Sequence, residues 1–277
     1  MGVRIITDST CDFSVAYAKE INVEMMSLKV CFGTEEYTDK VDITTEEFYE
    51  KLAAAKELPT TTLVNIETFA NAFAENPEDD IVGIFLSPKL SGTMQSAVIA
   101  KEASGRDNIY LIDSQTITIG LSLLVREMVR LRDLGKSAKE IYDTIEGLKE
   151  KIRIYAIIDT FKYLIKGGRL SAATGLVGGM LGLKPFIYVE DGVIIPYGKA
   201  RGMKNATTRL VDIAFNECDI DAEKMVIFGH TNNEASLVNF IEECKQQGIN
   251  DFDTQSIGSI VGTHVGPGAI AIAFYLK

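Results

Sequence analysis

Short apolar runs alternate with stretches of helical periodicity through the first half of the chain, the pattern left by strands and helices laid down in turn. Val3-Arg4-Ile5-Ile6, Ile81-Val82-Gly83-Ile84-Phe85-Leu86 and Ile109-Tyr110-Leu111-Ile112 read as strands of a parallel sheet, buried on both faces. Apolar positions between them predict a helix from Phe48 to Lys56 and another through Phe69, Phe73 and Ala74. A third follows Ser91 through Met94, Ala97 and Val98, and a long one runs from Ile117 to Leu134. Thr44-Thr45-Glu46-Glu47 and Ser137-Ala138-Lys139-Glu140 are capping boxes that open helices; Leu58-Pro59 stops the first of these, Lys149-Glu150-Lys151 ends the second, and Gly135 closes the long helix between them.

The texture changes after the charged run Lys149-Glu150-Lys151. Ile152–Ile158 is a strand, and Phe186–Glu190 and Val193–Ile195 flank a two-residue Asp191-Gly192 turn, a strong hairpin signal. Two helices and the strand Met225–Phe228 follow. The last strand, Ala269–Phe274, alternates small and large side chains. The pattern predicts an α/β protein of two domains: an N-terminal parallel-sheet α/β domain over residues 1–151 and a C-terminal mixed-sheet α/β domain over 152–277.

Charge narrows the partners. A formal net charge of −11 argues against nucleic acid, whose phosphates need clustered cations, and against an anionic membrane surface. The apolar runs are too short for stable membrane insertion, which takes roughly 20 residues. Met1 leads straight into a strand, so no signal peptide is expected. Cys11, Cys31, Cys218 and Cys244 are scattered without a CxxC pair, and His230 and His264 are the two histidines, so no metal site or cofactor is expected. Reduced thiols in a cytoplasmic protein fit this usage.

Candidate chemistry gathers at the ends of the strands, where open α/β sheets bind ligands. Ser91-Gly92-Thr93 offers two hydroxyls and free backbone N–H groups after a strand. It suits an anionic oxygen, and Ser91 equally suits a helix N-cap. Thr7–Asp12 is a polar turn that reads as helix capping, with a ligand loop as the other reading. Thr60-Thr61-Thr62 is a second hydroxyl cluster. His264 lies in Gly262-Thr263-His264-Val265-Gly266-Pro267-Gly268, read as a tightly bent loop that lets backbone approach a ligand. Arg169 follows the Lys166-Gly167-Gly168 turn, which suits a helix C-cap with a surface cation. Leu176–Leu183, apolar around repeated glycines, leaves room for something long and apolar, as close helix packing also would. Lys199, Arg201, Lys204 and Arg209 form a basic island in an acidic chain.

Phosphate loops, HExxH and the G-x-S-x-G elbow of hydrolases are absent from the sequence. Two alternatives to a binding protein still stand at this point. One is an acyl hydrolase or transferase using Ser91 with His264 and a carboxylate such as Asp113. The other is a binding subunit for a phosphorylated small molecule, using the Asp8–Thr10 turn and the basic island.

Thr7-Asp8-Ser9-Thr10, Ser91-Gly92-Thr93, Ile112-Asp113-Ser114, Lys166–Leu170, Leu183-Lys184-Pro185 and Gly262–Gly268, in this order and spacing, resemble the bacterial DegV family over essentially the whole chain. The resemblance implies two α/β domains with a long-chain fatty acid such as palmitate held between them. It also implies service as the non-catalytic, fatty-acid-binding subunit of a bacterial fatty acid kinase, presenting the acid to a separate ATP-binding subunit that makes the acyl phosphate for lipid metabolism. It implies that Thr61 and Ser91 hydrogen-bond the carboxylate with Thr62 and His264 close by. Thr93 and Arg169 complete the candidate ligand set, a protonated His264 is one candidate donor, and Arg201 and Lys204 are the candidate docking residues. The family often reads Thr-Ser-x-Pro where this chain has Thr61-Thr62-Leu63-Val64. The second hydroxyl survives as Thr62, and the stiffening proline does not.

Overall fold

The computed structural model describes residues 2–170 and 182–277. Its first half holds β1 (Val3–Asp8), β2 (Val23–Met26), β3 (Lys29–Phe32), β4 (Glu35–Thr38), β5 (Thr60–Thr62), β6 (Asp80–Phe85) and β7 (Ile109–Asp113). The helices among them are α1 (Val15–Glu20), α2 (Thr45–Ala54), α3 (Ile66–Ala74), α4 (Thr93–Ser104), α5 (Thr118–Asp133) and α6 (Ala138–Leu148). The second half holds β8 (Ile152–Ile157), β9 (Leu183–Glu190), β10 (Val193–Arg201), β11 (Val226–His230), β12 (Phe252–Ser256) and β13 (Ile270–Tyr275). Its helices are α7 (Lys162–Lys166), α8 (Met203–Asp212), α9 (Glu234–Lys245) and α10 (Ser259–Val265).

The expected parallel sheet forms in the order β2-β1-β6-β7, and the expected mixed sheet in the order β10-β9-β8-β13-β11-β12. Both capping boxes close reciprocally, and Asp191 and Gly192 both take positive φ (48° and 75°) in the hairpin turn. A third sheet, the antiparallel β4-β3-β5, departs from the sequence reading, which placed no strand between Phe13 and Ile43 and read Thr60–Thr62 only as a hydroxyl cluster. Its strands are three or four residues long and mixed in polarity, so no alternation announces them.

Helix α5 packs between the two large sheets. Leu121, Leu124 and Val125 share one buried core with Ile5 and Val82 of the parallel sheet and Ile154 and Ala271 of the mixed sheet. The hairpin tip at Gly192 closes on Ser87, just past β6, with no room for a Cβ. No helix of the described residues is long and apolar enough to cross a membrane.

Helix α10 is late in sequence but seated in the first half of the fold. Buried Asp12 accepts hydrogen bonds from the Gly258 N–H (2.7 Å) and the Thr118 hydroxyl (2.6 Å), with Lys40 at 3.7 Å. Asp39 accepts from the Ser259 hydroxyl (2.6 Å), and the Tyr49 hydroxyl donates to the Ile257 carbonyl (2.9 Å). A Cβ at Gly262 would meet the Tyr49 hydroxyl at 2.7 Å and the Phe48 ring at 2.8 Å, so the helix lies close against α2. Asp12→Ala removes two hydrogen bonds and leaves Lys40 without its buried partner. It is expected to cost on the order of 3 kcal/mol, read as a lowered urea midpoint at unchanged slope.

Candidate ligand site

A cavity of about 340 Å³ opens between the sheets. Its walls are largely apolar: Ile154 and Ala156 of β8, Ile187 and Val189 of β9, Val261 of α10 and Ala271 of β13. Polar groups gather around Thr61, Thr62, Ser91, Gly92, Arg169 and His264, all of which line it. Five of the six expected ligand residues therefore meet in one cavity. The sixth, Thr93, does not line it. Thr93 is fully buried; its hydroxyl accepts from the Val64 N–H (3.3 Å) and bonds the Ser91 hydroxyl (3.0 Å). It ties the segment after β5 to the start of α4 and so orients Ser91. Gly92 holds the N-cap position of α4, and the Ser91 hydroxyl accepts from the Thr93 N–H (3.3 Å), so Ser91 both caps the turn and faces the cavity.

His264 sits in the last turn of α10 and not in a bent loop; the bend begins after it, at Gly266 (φ 78°) and Gly268 (φ 93°). Contacts to Tyr49 and Phe48 hold in a helix a segment whose glycines suggested a turn. The His264 Nε2 and Thr61 Oγ1 lie 3.0 Å apart, and Nδ1 is buried without a partner among the described residues, seated against Gly167 where no Cβ would fit. The Arg169 guanidinium donates to the Gly167 carbonyl (2.5 Å) and to the Leu90 carbonyl (3.2 Å). Burial first, and the nearby Arg169 charge second, lower the His264 pKa to about 4. The ring is therefore neutral near pH 7, which corrects the expectation of a protonated donor. With a cation nearby and no acceptor at Nδ1 among the described residues, the single ring proton is assigned to Nε2, donated to Thr61. The Thr61 hydroxyl is then left to donate to a bound anion.

The same geometry weighs against a Ser-His-Asp triad. His264 bonds Thr61, and its charged neighbour is a cation where a triad base needs a carboxylate. Asp113 instead accepts from the Gln115 N–H (2.8 Å). The Thr7–Asp12 turn is structural. Asp8 caps it by accepting from the Thr10 N–H (2.9 Å) and reaches the Leu86 N–H (2.8 Å), joining β1 to the end of β6. Ser9 accepts from the Leu28 N–H (3.2 Å). Asp8, Ser9 and Thr10 are fully buried, which removes the turn as a ligand loop.

Arg201 ends β10 and Lys204 lies in the first turn of α8, both exposed and without ion pairs among the described residues. Arg209 is neutralised by Asp212 and Glu217, which shrinks the basic island. Of the glycine-punctuated stretch, residues 176–181 lie outside the described residues. The apolar wall on β8, β9 and β13 was missed in the sequence, although the small residues of the last strand were its visible signal.

Unfolded chain takes up a proton near pH 6.5, whereas folded His264 resists until about pH 4. The stability this group contributes is therefore complete above pH 6.5 and is lost as pH falls to 4, by up to about 3 kcal/mol. Asp8 and Asp12, raised to about 6 by burial, slope the opposite way over an overlapping window, since their protonation favours the fold. The His264 contribution is thus read as a difference. The stability gap between the native protein and His264→Gln is expected to narrow between pH 6.5 and 4 in urea titrations.

Residues 2–277 match the family model described as "Uncharacterised protein, DegV family". A DegV domain-containing protein of Caldanaerobacter subterraneus subsp. tengcongensis is 35% identical over 279 residues, 99% of each chain. A DegV family protein from Thermus thermophilus, whose solved structure is described as showing fatty acid binding, superposes with a TM-score of 0.91 at 26% identity over the whole of both chains. A stearic acid-binding protein from Eubacterium ventriosum superposes with a TM-score of 0.89 at 28% identity, covering 100% of this chain and 99% of that one. Sequence order, fold and cavity agree, and the chain belongs to the DegV family.

Proposed function

We propose that this protein binds a long-chain fatty acid in the cavity between its sheets and presents it, without catalysing a reaction itself, to an ATP-binding kinase subunit that forms the acyl phosphate. The observation that carries this reading is the meeting of Thr61, Ser91 and neutral His264 at a cavity otherwise walled by aliphatic side chains. Each buried methylene contributes about 0.8 kcal/mol, so a chain of about sixteen carbons gains on the order of 10 kcal/mol before ordering costs. A carboxylate drawn in with it needs donors. The Thr61 and Ser91 hydroxyls supply them, Thr62 stands beside them, and Arg169 adds a cation near the same end. Fatty acid binding by the structural relatives supports the same ligand class.

Residues 1–151 and 152–277 serve as the two domains in this reading, with β1–β7 in the first and β8–β13 in the second. Arg201 and Lys204 are the docking cations, chosen because they stand exposed and, among the described residues, without ion pairs on an acidic chain. The four free thiols suit a cytoplasmic setting.

Denaturing mass spectrometry of the purified protein is expected to release a fatty acid. An empty protein that also fails to bind added palmitate overturns the reading. Ser91→Ala and Thr61→Val each remove one donor to a charged group and are expected to weaken palmitate binding by roughly tenfold. Charge reversal at Arg201 and Lys204 is expected to reduce kinase-dependent phosphorylation while leaving palmitate affinity unchanged; equal loss of both refutes docking at these residues.

A further inference from the structure

The alternation of small and large residues in β13 divides its two faces between two cores. Ile270, Ile272 and Phe274 pack with Phe228 and Phe240 beneath α8 and α9, while Ala269, Ala271 and Ala273 turn toward the other side. Strand register extends the pattern across the sheet. Ala271 stands opposite Ala156 of β8 on one side and Gly229 of β11 on the other. The next row is larger: Ala273 stands between Ile154 and Ile227. The small row is therefore a dent in the sheet's inner face. At Gly229 the dent is filled, because a Cβ there would lie 3.0 Å from both Ile119 and Ile257. At Ala156 and Ala271 it is open, since both line the cavity, with Ile187 and Ile154 beside them.

We infer that the Ala156–Ala271 pair sets the length of acyl chain the cavity accepts, an inference that rests on the fatty acid reading above. Directly opposed residues on antiparallel strands hold their Cβ atoms about 5 Å apart, so the two methyl groups form one continuous patch of floor. A hydrocarbon tail lying over this patch occupies the volume that larger side chains fill in the neighbouring row. The ligand thus completes the inner core of the mixed sheet, and chain length is read by how much of the dent the sheet leaves unfilled. Ile154 and Ile187 act as its rims. The other face of β13 keeps its large residues, so enlarging Ala271 takes volume from the cavity without disturbing the core beneath α8 and α9.

The test compares palmitate and decanoate binding to delipidated full-length protein by calorimetry. Leu carries three more carbons than Ala. At about fourfold in affinity per methylene, Ala271→Leu is expected to weaken palmitate roughly 50-fold while decanoate changes less than about threefold. Ile154→Ala is expected to act oppositely, improving stearate relative to palmitate. Should Ala271→Leu fail to fold, Ala156→Val carries the same comparison with a smaller ratio. Equal weakening of both acids, or no change in either, overturns the inference and leaves fatty acid binding intact. A native protein that binds neither acid overturns the fatty acid reading itself.

Discussion

The contact on which the site depends joins Thr61 to His264 across 203 residues of sequence. Neither partner is placed by its own element. β5 is three residues long and gains its position by pairing with β3, Thr61 standing opposite Val30. α10 is seven residues long, too short to persist alone, and is held at its start by Asp12, Asp39 and Tyr49. A late segment anchored in the early half of the fold thus brings the histidine to the cavity. The buried carboxylates are the cost of that anchoring: Asp12 has Lys40 and two hydrogen bonds to offset its desolvation, and its pKa still rises to about 6.

Burial also determines what the polar end of the cavity can do. A charged imidazole beside Arg169 would add a second cation to a low-dielectric site, and the lowered pKa of His264 expresses that conflict. A neutral ring instead serves as a fixed donor that orients the Thr61 hydroxyl, while Thr93 orients Ser91 from the other side. Each of the two hydroxyls is thereby aimed by an uncharged neighbour. Such an arrangement suits the proposed carboxylate, and among the described residues it lacks the carboxylate-backed base that would make Ser91 a nucleophile.

Legibility in the sequence followed the range of the determining contacts. Both capping boxes and the Asp191-Gly192 hairpin rest on neighbours within a few residues, and the parallel strands, though paired at long range, carry continuous apolar runs; all were readable. β3, β4 and β5 rest on one another, and α10 rests on Tyr49 and Phe48 more than two hundred residues earlier. Glycines at 262, 266 and 268 suggested a loop, but Gly262 is there to let α10 approach α2, and the turn needs only the later two. Thr93 was misplaced for a related reason. Residue type reveals a hydroxyl, but only the fold shows that Val64 and Ser91 already use it.

The mixed sheet shows how a binding cavity can be encoded without destabilising the element that carries it. A strand with small residues throughout would forfeit burial on both faces. Alternation confines that loss to one face: Ile270, Ile272 and Phe274 are buried at 0% exposure on the side that must hold the sheet together. On the other side, Ala156 and Ala271 give up volume that the cavity keeps, and Gly229 gives it up where Ile119 of α5 fills it. The boundary between protein core and ligand core is then a matter of which small residues a neighbouring side chain covers. Under the proposed reading, one substitution on the inner face reshapes the cavity while the outer core stays as it is.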